Sequence, residues 1–472
     1  MSEYAEKELA ILREAVDKAQ LVVKKQSAQS EQVKKIIEIV EDFIKNKKLI
    51  CYGGTAINNI LPLRDKFYDK DIEVPDYDFF SADALNDAIE LADIYYKQGY
   101  SEVEAKSGMH FGTYKVFVNF IPVADITSLD KHLFNSIKKE SIVINNIINA
   151  PPNYLRMSMY LELSRPKGNV DRWEKVLKRL ILLNKNYPLK NKQCKHNFMR
   201  NFEGKMNIHE KKDIHHTIKT VAIEQGLVFF GAYANSLYSN YMPKQIQKQL
   251  KEIPDFDILA SEPEQSAEII SNRLKEKGYN SKIIKKKAIG EVISSHYEIV
   301  VNDDTVAFIY EPLACHSYNE IKIGTSTIKI ATIDTMLSFY LAFVYVDRPY
   351  YDHERILCMA QYLFQVQSKN RLSQKGLLKR FSISCYGNQQ TLEDMKTEKS
   401  IKFQELKNSR NTIEYNKRFL RYVPSEGKLK LKSNKTLKKN KTSNKTSNKT
   451  SKSNKTSNKT SKSNKTSKSN KQ

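Results

Sequence analysis

The sequence predicts a mixed α/β (α+β) protein built as a tandem duplication of one domain, each copy followed by helices, with a disordered basic tail. Three observations carry this. Stretches with apolar residues at helical spacing alternate with short, wholly apolar runs of strand type. A set of short motifs occurs twice in one order, at an offset that drifts only from 178 to 186 residues. From about Lys428 the chain collapses into Ser-Asn-Lys-Thr repeats, and after Leu437 it has nothing apolar to bury.

Residues 3–25 put Leu9, Leu12, Ala15, Ala19 and Val22 at helical spacing. A second helix follows, with Ser30 at its N-cap and Val33, Ile36, Ile37, Val40, Phe43 and Ile44 along one face. Leu49 to Tyr52 reads as a buried strand that turns at Gly53-Gly54 into a helix over 55–61. Residues 75–81 are extended, and Gly99 stops a helix over 84–98. Tyr114 to Asp125 reads as one long strand. Helical patterns resume at Tyr154, break at Arg165-Pro166 and continue over 171–183 with Asp171 as N-cap, before a polar connector at 184–215.

The repeat begins at that Gly turn. Gly53-Gly-Thr-Ala is echoed by Gly231-Ala-Tyr-Ala, Pro75-Asp-Tyr-Asp by Pro254-Asp-Phe-Asp, and Gly99-Tyr100 by Gly278-Tyr279. His110 and Asp125 find counterparts in His296 and Glu311, and Arg165-Pro166 in Arg348-Pro349. One such match is easily accidental; an ordered series is not.

The formal net charge is +24, but the stretch from Gly427 holds 16 Lys and no acid, leaving 24 − 16 = +8 for the rest. The tail suits weak counterion-release binding of RNA or simple solubility. The five cysteines are scattered, which fits a reducing compartment and gives no zinc module. A Cys/His site around Cys194, His196, His209, His215 and His216 is outweighed by a polar connector. The N-terminus lacks the apolar core of a signal peptide. The longest apolar run, Leu337 to Val346, is about half the ~20 residues of a membrane span, so a soluble, intracellular protein is expected.

Three elements of the first copy carry chemistry: the Gly53-Gly54 turn into a helix at Thr55, the pair Asp76 and Asp78, and Asp125 on a later strand. Carboxylates at i and i+2 of a strand share a face and suit two hard cations a few ångströms apart. Asp125 completes a set that positions an attacking hydroxyl. Paired glycines let backbone N–H groups approach phosphates at a helix N-terminus, and Thr55 adds a hydroxyl donor. The bland alternative is a turn beside a solvated acidic edge.

These residues resemble the polymerase-β-like nucleotidyltransferases. Leu161-Glu-Leu-Ser-Arg-Pro166, then Arg172-Trp173, Lys175-Val176 and Arg179-Leu180, are similar to the poly(A) polymerase catalytic subunits of poxviruses and giant, mimivirus-like cytoplasmic DNA viruses, over about 45–360. The resemblance implies template-independent addition of adenylates to mRNA 3′ ends, with ATP as substrate and two Mg2+ or Mn2+ ions as cofactors. Asp76, Asp78 and Asp125 would be the catalytic, metal-binding residues; Gly53, Gly54 and Thr55 would bind the nucleotide. RNA is the implied partner, with a homodimer or a processivity partner beside it and no membrane. The implied location is a cytoplasmic viral factory or the virion.

The domain reading is then N-terminal helices 1–47, a catalytic domain 48–130, a helical extension 131–190, a linker 191–215, a degenerate copy 216–330, a helical region 331–426 and the tail 427–472. In the second copy Ala232 and Tyr233 replace Gly54 and Thr55, so catalysis is expected to be lost. Whether Asp255, Asp257 and Glu311 hold a metal stays open. Arg165, Arg172, Lys175 and Arg179 suit either a nucleotide or a solvated helix face, and Trp173 a core anchor. Lys275, Lys277, Lys282 and Lys285–Lys287 with Tyr279 suit an RNA grip or a solvated run. Another nucleotide preference, or an inactive RNA-binding scaffold, are the competing functions.

Overall fold

Two sheets of eight strands organise the chain. The computed structural model describes residues 3–69, 74–190, 194, 200, 202, 206–249, 253–290 and 292–427. The tail from 428, His196 and much of the expected linker lie outside the described residues.

The first sheet contains β1 (Ile50–Cys51), β2 (Tyr77–Ser81), β3 (Val103–Ser107), β4 (Thr113–Val118), β5 (Ile121–Ser128), β6 (Ile142–Ile144) and β7 (Ile147–Asn149). The second contains β8 (Val228–Phe230), β9 (Phe256–Leu259), β10 (Ser281–Lys286), β11 (His296–Val301), β12 (Asp304–Tyr310), β13 (His316–Ile323) and β14 (Ser326–Ala331). Their orders are β3-β4-β5-β2-β1-β7-β6 and β10-β11-β12-β9-β8-β14-β13. Each strand of the second stands where the strand seven earlier stands in the first. Directions agree as well: β1 is antiparallel to β2 and β8 to β9, while β2 runs parallel to β5 and β9 to β12.

Each sheet gains an outer strand from far down the chain. β15 (Cys385–Tyr386) pairs β13, and β16 (Arg421–Tyr422) pairs β3. The region 331–426, expected to be helical, therefore finishes both sheets. The boundary expected at 130 also cuts the first sheet, because β6 and β7 lie beyond it and β7 pairs β1. The long strand expected over 114–125 is a hairpin: Asn119 and Phe120, at φ 50 and 65, turn β4 back into β5. Two left-handed residues in succession make the two-residue turn that suits strand twist.

Helices Glu31–Lys47 and Ala84–Lys97 cover one face of the first sheet. The apolar stripe read from sequence is buried there, with Ile36, Val40 and Ile44 at 0% exposure. Tyr95 donates to the Ile36 carbonyl at 2.6 Å, tying the two helices together. Ser30 stands at the N-cap but makes no side-chain cap, and the second-helix start expected at Asp171 is a short 3-10 turn, Val170–Arg172, before Trp173–Asn186.

The opposite face of that sheet meets helix Pro152–Leu163, which packs against Ile333–Phe343 of the second half. The apolar run at 337–346 is thus central core: Met336, Leu337 and Leu341 are all at 0%. No helix among the described residues is long and apolar enough to cross a membrane. The cysteines depart from expectation, since Cys194–Cys358 and Cys315–Cys385 form disulfides, with Cα separations of 5.4 and 5.1 Å. Sequence separations of 164 and 70 residues hid both pairs.

Candidate active site

Tyr52 is extended and caps a helix, Gly53–Ile60, whose first residue takes φ +70. A Cβ on Gly53 would stand 2.6 Å from Asp78 Oδ2, so only glycine lets β2 lie this close to the turn. Backbone bonds hold the junction: the Tyr52 N–H donates to the Asp78 carbonyl at 2.9 Å. Thr55 is buried, and its hydroxyl donates to the Asp76 carbonyl at 2.7 Å. The hydroxyl expected to reach phosphate is therefore engaged in fastening the Asp-x-Asp strand to the turn.

Asp78 and Asp125 are register partners on the parallel strands β2 and β5. Asp76, two residues earlier, is exposed. Burial, then Asp76 and Asp125, push the Asp78 carboxyl up to about 7, while Lys115 and Arg172 act the other way. Although Asp76 keeps solvent contact, the protein around it withdraws part of its hydration, and this and then Asp125 raise its carboxyl, against Lys115. Lys115, opposite Asp125 across β4 and β5, forms an ion pair with it. The other Asp125 oxygen, Oδ1, is buried with no hydrogen-bond partner.

Among the described residues, no group of three or more His, Cys, Asp or Glu side chains converges tightly enough to hold a metal as it stands. The donor chemistry nonetheless suits a hard divalent cation. The site is all oxygen, its carboxylates repel one another, one oxygen is orphaned, and a lysine ammonium supplies the nearest positive charge.

Gly54 faces a different group. A Cβ there would meet the Tyr68 hydroxyl at 2.6 Å and Arg179 Nη1 at 2.9 Å. Arg179 donates to that hydroxyl at 2.5 Å and lies over the Phe67 and Tyr68 rings at 4.9 and 5.4 Å. Asn58 fixes the loop by accepting from the Phe67 and Tyr68 N–H groups. Of the basic residues after Arg165-Pro166, Arg179 reaches the Gly turn, and Arg172 pairs with Glu162 at 3.3 Å. Trp173 is an anchor, donating to the Glu162 carbonyl at 3.0 Å. Lys115 and Tyr68 escaped sequence reasoning. Lys115 was findable, since alternation along β4 sets it on the carboxylate face; nothing local marks Tyr68.

The second half repeats the turn and fills the corresponding space. Gly231 takes φ +67, but Ala232 and Tyr233 are buried. Asp255 pairs with Arg200 at 3.3 Å, and the space left among Arg355, Tyr340, Tyr351 and their neighbours is about 30 Å³. That admits a water or two and no nucleotide. Register corrects the matching of Asp125 with Glu311. Asp257 is partnered by Phe308, so a ring stands where the third carboxylate would be. Glu311 lies past β12, exposed, accepting from Ser295 at 2.8 Å. His296 likewise matches Thr113, the first residue of β4, rather than His110. In the lysine cluster Lys277 pairs with Asp213, Lys285 with Glu264 and Lys286 with Glu298, on the outer strand β10 and the helix before it. Lysines on a sheet edge also block edge-to-edge pairing.

Comparison with known proteins finds a family likeness in part of the chain. Residues 38–169 match the model of the poly(A) polymerase catalytic subunit family. The matched stretch contains both strands of the carboxylate cluster and the Gly turn. A protein of African swine fever virus (strain Badajoz 1971 Vero-adapted) assigned as a poly(A) polymerase catalytic subunit is 34% identical over 180 residues, 37% of this chain and 38% of that one. A protein of Acanthamoeba polyphaga mimivirus with the same assignment is 34% identical over 158 residues, 33% of this chain and 26% of that one. The chain thus matches well under half the length of these relatives. In fold the likeness runs further. The crystal structure of the Megavirus polyadenylate synthase superposes with a TM-score of 0.74 at 20% identity, over 90% of this chain and 86% of the other.

Proposed function

We propose that the chain is a template-independent polynucleotide adenylyltransferase that extends mRNA 3′ ends with adenylates from ATP. The observation that carries this is the Asp78–Asp125 register pair beside the Gly53 turn, within the stretch that matches the poly(A) polymerase family. Two divalent ions, Mg2+ or Mn2+, would be held by Asp76, Asp78 and Asp125 and would supply charge for activating a hydroxyl and binding triphosphate. Gly53 and Gly54 put no Cβ over the helix N-terminus, and Arg179, held against Gly54, brings a guanidinium that would take phosphate there. Thr55 acts by positioning Asp76. Lys115 holds Asp125 until a substrate or cation competes for it.

The second copy, with a shared origin by duplication, serves as a catalytically silent partner fold. The domain boundaries proposed are a catalytic domain from 48 to 150, helices to 190, a second copy from 208 to 331 and a C-terminal region that completes both sheets. RNA and ATP are the ligands. A second copy of this chain is the proposed processivity partner, supported by the heptad spacing of Leu9, Leu12, Val16, Ala19 and Val23 on an exposed helix. The proposed location is the cytoplasmic viral factory or the virion.

The test is extension of a labelled RNA with each nucleoside triphosphate in turn. A long product with ATP alone is expected, falling to background in Asp76→Ala/Asp78→Ala and persisting in Asp257→Asn. Extension with a different nucleotide would keep the chemistry and replace the adenylate assignment. No extension in either Mg2+ or Mn2+ would leave an RNA-binding scaffold as the function.

A further inference from the structure

The face of the first sheet that carries Asp78 and Asp125 continues to Phe80 and Thr127, two residues further along β2 and β5. There it opens into a cavity of about 560 Å³, closed on its far side by Leu313, His316, Ser338 and Phe339 of the second half. The volume lies within the ~300–1,000 Å³ of small-ligand sites. Its wall is aromatic: Phe80, backed by Tyr52 stacked on it at 3.9 Å, meets Tyr154 edge-on at 5.7 Å, and Phe339 lies opposite.

His316 is the informative residue. It is 1% exposed, and neither ring nitrogen has a hydrogen-bond partner. Buried polar side chains are almost always satisfied, so an unsatisfied one on a cavity wall points to a missing polar ligand. Burial and then the charge of Arg165 push its pKa down to about 3, so the ring is neutral and offers one donor and one acceptor. The backbone beside it is fixed, with the Ser317 N–H donating to the Ser164 carbonyl at 2.8 Å across the two halves.

A second cavity, of about 420 Å³, shares Phe111, Arg165, Gly290, Leu313 and Lys417 with the first. Lys399, Lys417 and Arg418 make it basic, with Glu398 as the opposing charge at 3.7 Å from Arg418. Arg418 lies 4.4 Å over the ring of Phe111, itself 52% exposed. A cationic groove with an exposed ring is what single-stranded nucleic acid binds.

We infer that the joined cavities receive the 3′ end of the acceptor RNA: the terminal nucleobase enters the first against His316, and the preceding sugar-phosphate leaves past Phe111, Lys417 and Arg418. The inference rests on the nucleotidyltransferase reading and gives the second half a task that needs no catalytic residues of its own. An open basic groove suits a polymeric anion better than a single triphosphate, which favours RNA over the base of ATP as the occupant.

The test is fluorescence anisotropy of a short oligoadenylate on the full chain without nucleotide, alongside separate KM values for RNA and ATP. Ser158→Phe fills the first cavity from an exposed helix position, so it leaves the core alone. Together with Lys417→Ala/Arg418→Ala, it should weaken RNA binding about ten-fold and raise the KM for RNA, with the KM for ATP unchanged. His316→Leu should level the preference among RNAs that differ in their last base. A rise in the KM for ATP with RNA affinity intact would overturn the inference in favour of a nucleotide-substrate pocket, and unchanged values for both would overturn it outright. RNA binding is measured without turnover, so the pocket stands or falls separately from the adenylyltransferase activity. Asp76→Ala/Asp78→Ala should lose extension yet keep the same response to Ser158→Phe.

Discussion

Gly53 and Thr55, two residues apart, act on the same pair of aspartates in different ways. Gly53→Ala would drive a Cβ to 2.6 Å from Asp78 Oδ2 in a backbone conformation that L-residues avoid. Misplacing a catalytic group by about 1 Å costs about 100-fold. Gly53→Ala should therefore lower kcat/KM by about that factor, a loss that steady-state kinetics would reveal. Thr55→Val removes a bond to the Asp76 carbonyl and should cost about 1 kcal/mol in denaturant titration. It should also lower kcat with the KM for ATP unchanged. A higher KM for ATP would instead restore Thr55 to the phosphate site. Both residues were legible as motif members, but only the packed structure separates a close approach from a tether.

At the scale of elements, the long N-terminal helix Glu3–Gln29 leaves Leu12 57% and Val23 65% exposed. Spacing of four and three along Leu9, Leu12, Val16, Ala19 and Val23 makes a seam for a second helix. Sedimentation should give a dimer that Leu12→Glu/Val16→Glu converts to monomer, whereas a monomeric parent protein would end that reading. The disulfides form a second element-scale case. Alkylation of the unreduced, unfolded chain followed by mass measurement should find one free thiol, Cys51, because four of the five cysteines are paired. Five labelled thiols would reinstate the reducing-compartment reading. The strand read most easily from sequence was β1, wholly apolar and buried on both faces. The two outer strands β15 and β16, two residues each, owe their existence to partners 68 to 317 residues away and left no local signal.

The whole molecule sets the protonation of its buried groups. His296, at 0% exposure, is pushed down to about 4 by burial, and His316 to about 3. Both lie below the ~6.5 of a free histidine, so below that pH the unfolded chain takes up protons that the fold refuses. Their contribution to stability is complete above pH 6.5 and falls as pH drops toward 4. The slope is on the order of 1.4 kcal/mol per pH unit for each histidine. Tm measured between pH 7.5 and 4.5 should decline accordingly, and His296→Gln should flatten the decline. The carboxylates Asp255 and Asp257 of the second half follow the same logic. Burial and Asp255 hold the Asp257 carboxyl well above the usual carboxylate range, so Asp257→Asn should be nearly silent. Asp255→Ala would leave the half-buried Arg200 without its buried ion-pair partner and should cost about 3 kcal/mol.

Composition, periodicity and motif order determined the mixed α/β class, the doubled topology, the Gly turn and the Asp-x-Asp strand, because each depends on residues a few positions apart. Tertiary structure decided which residues meet. A three-residue slip between the two halves was enough to match Asp125 with Glu311, when strand register partners Asp257 with Phe308. The same holds for Lys115 on Asp125, Arg179 at Gly54 and His316 on the cavity wall. Such contacts depend on register and on packing between distant segments, and neither leaves a periodic trace along the chain.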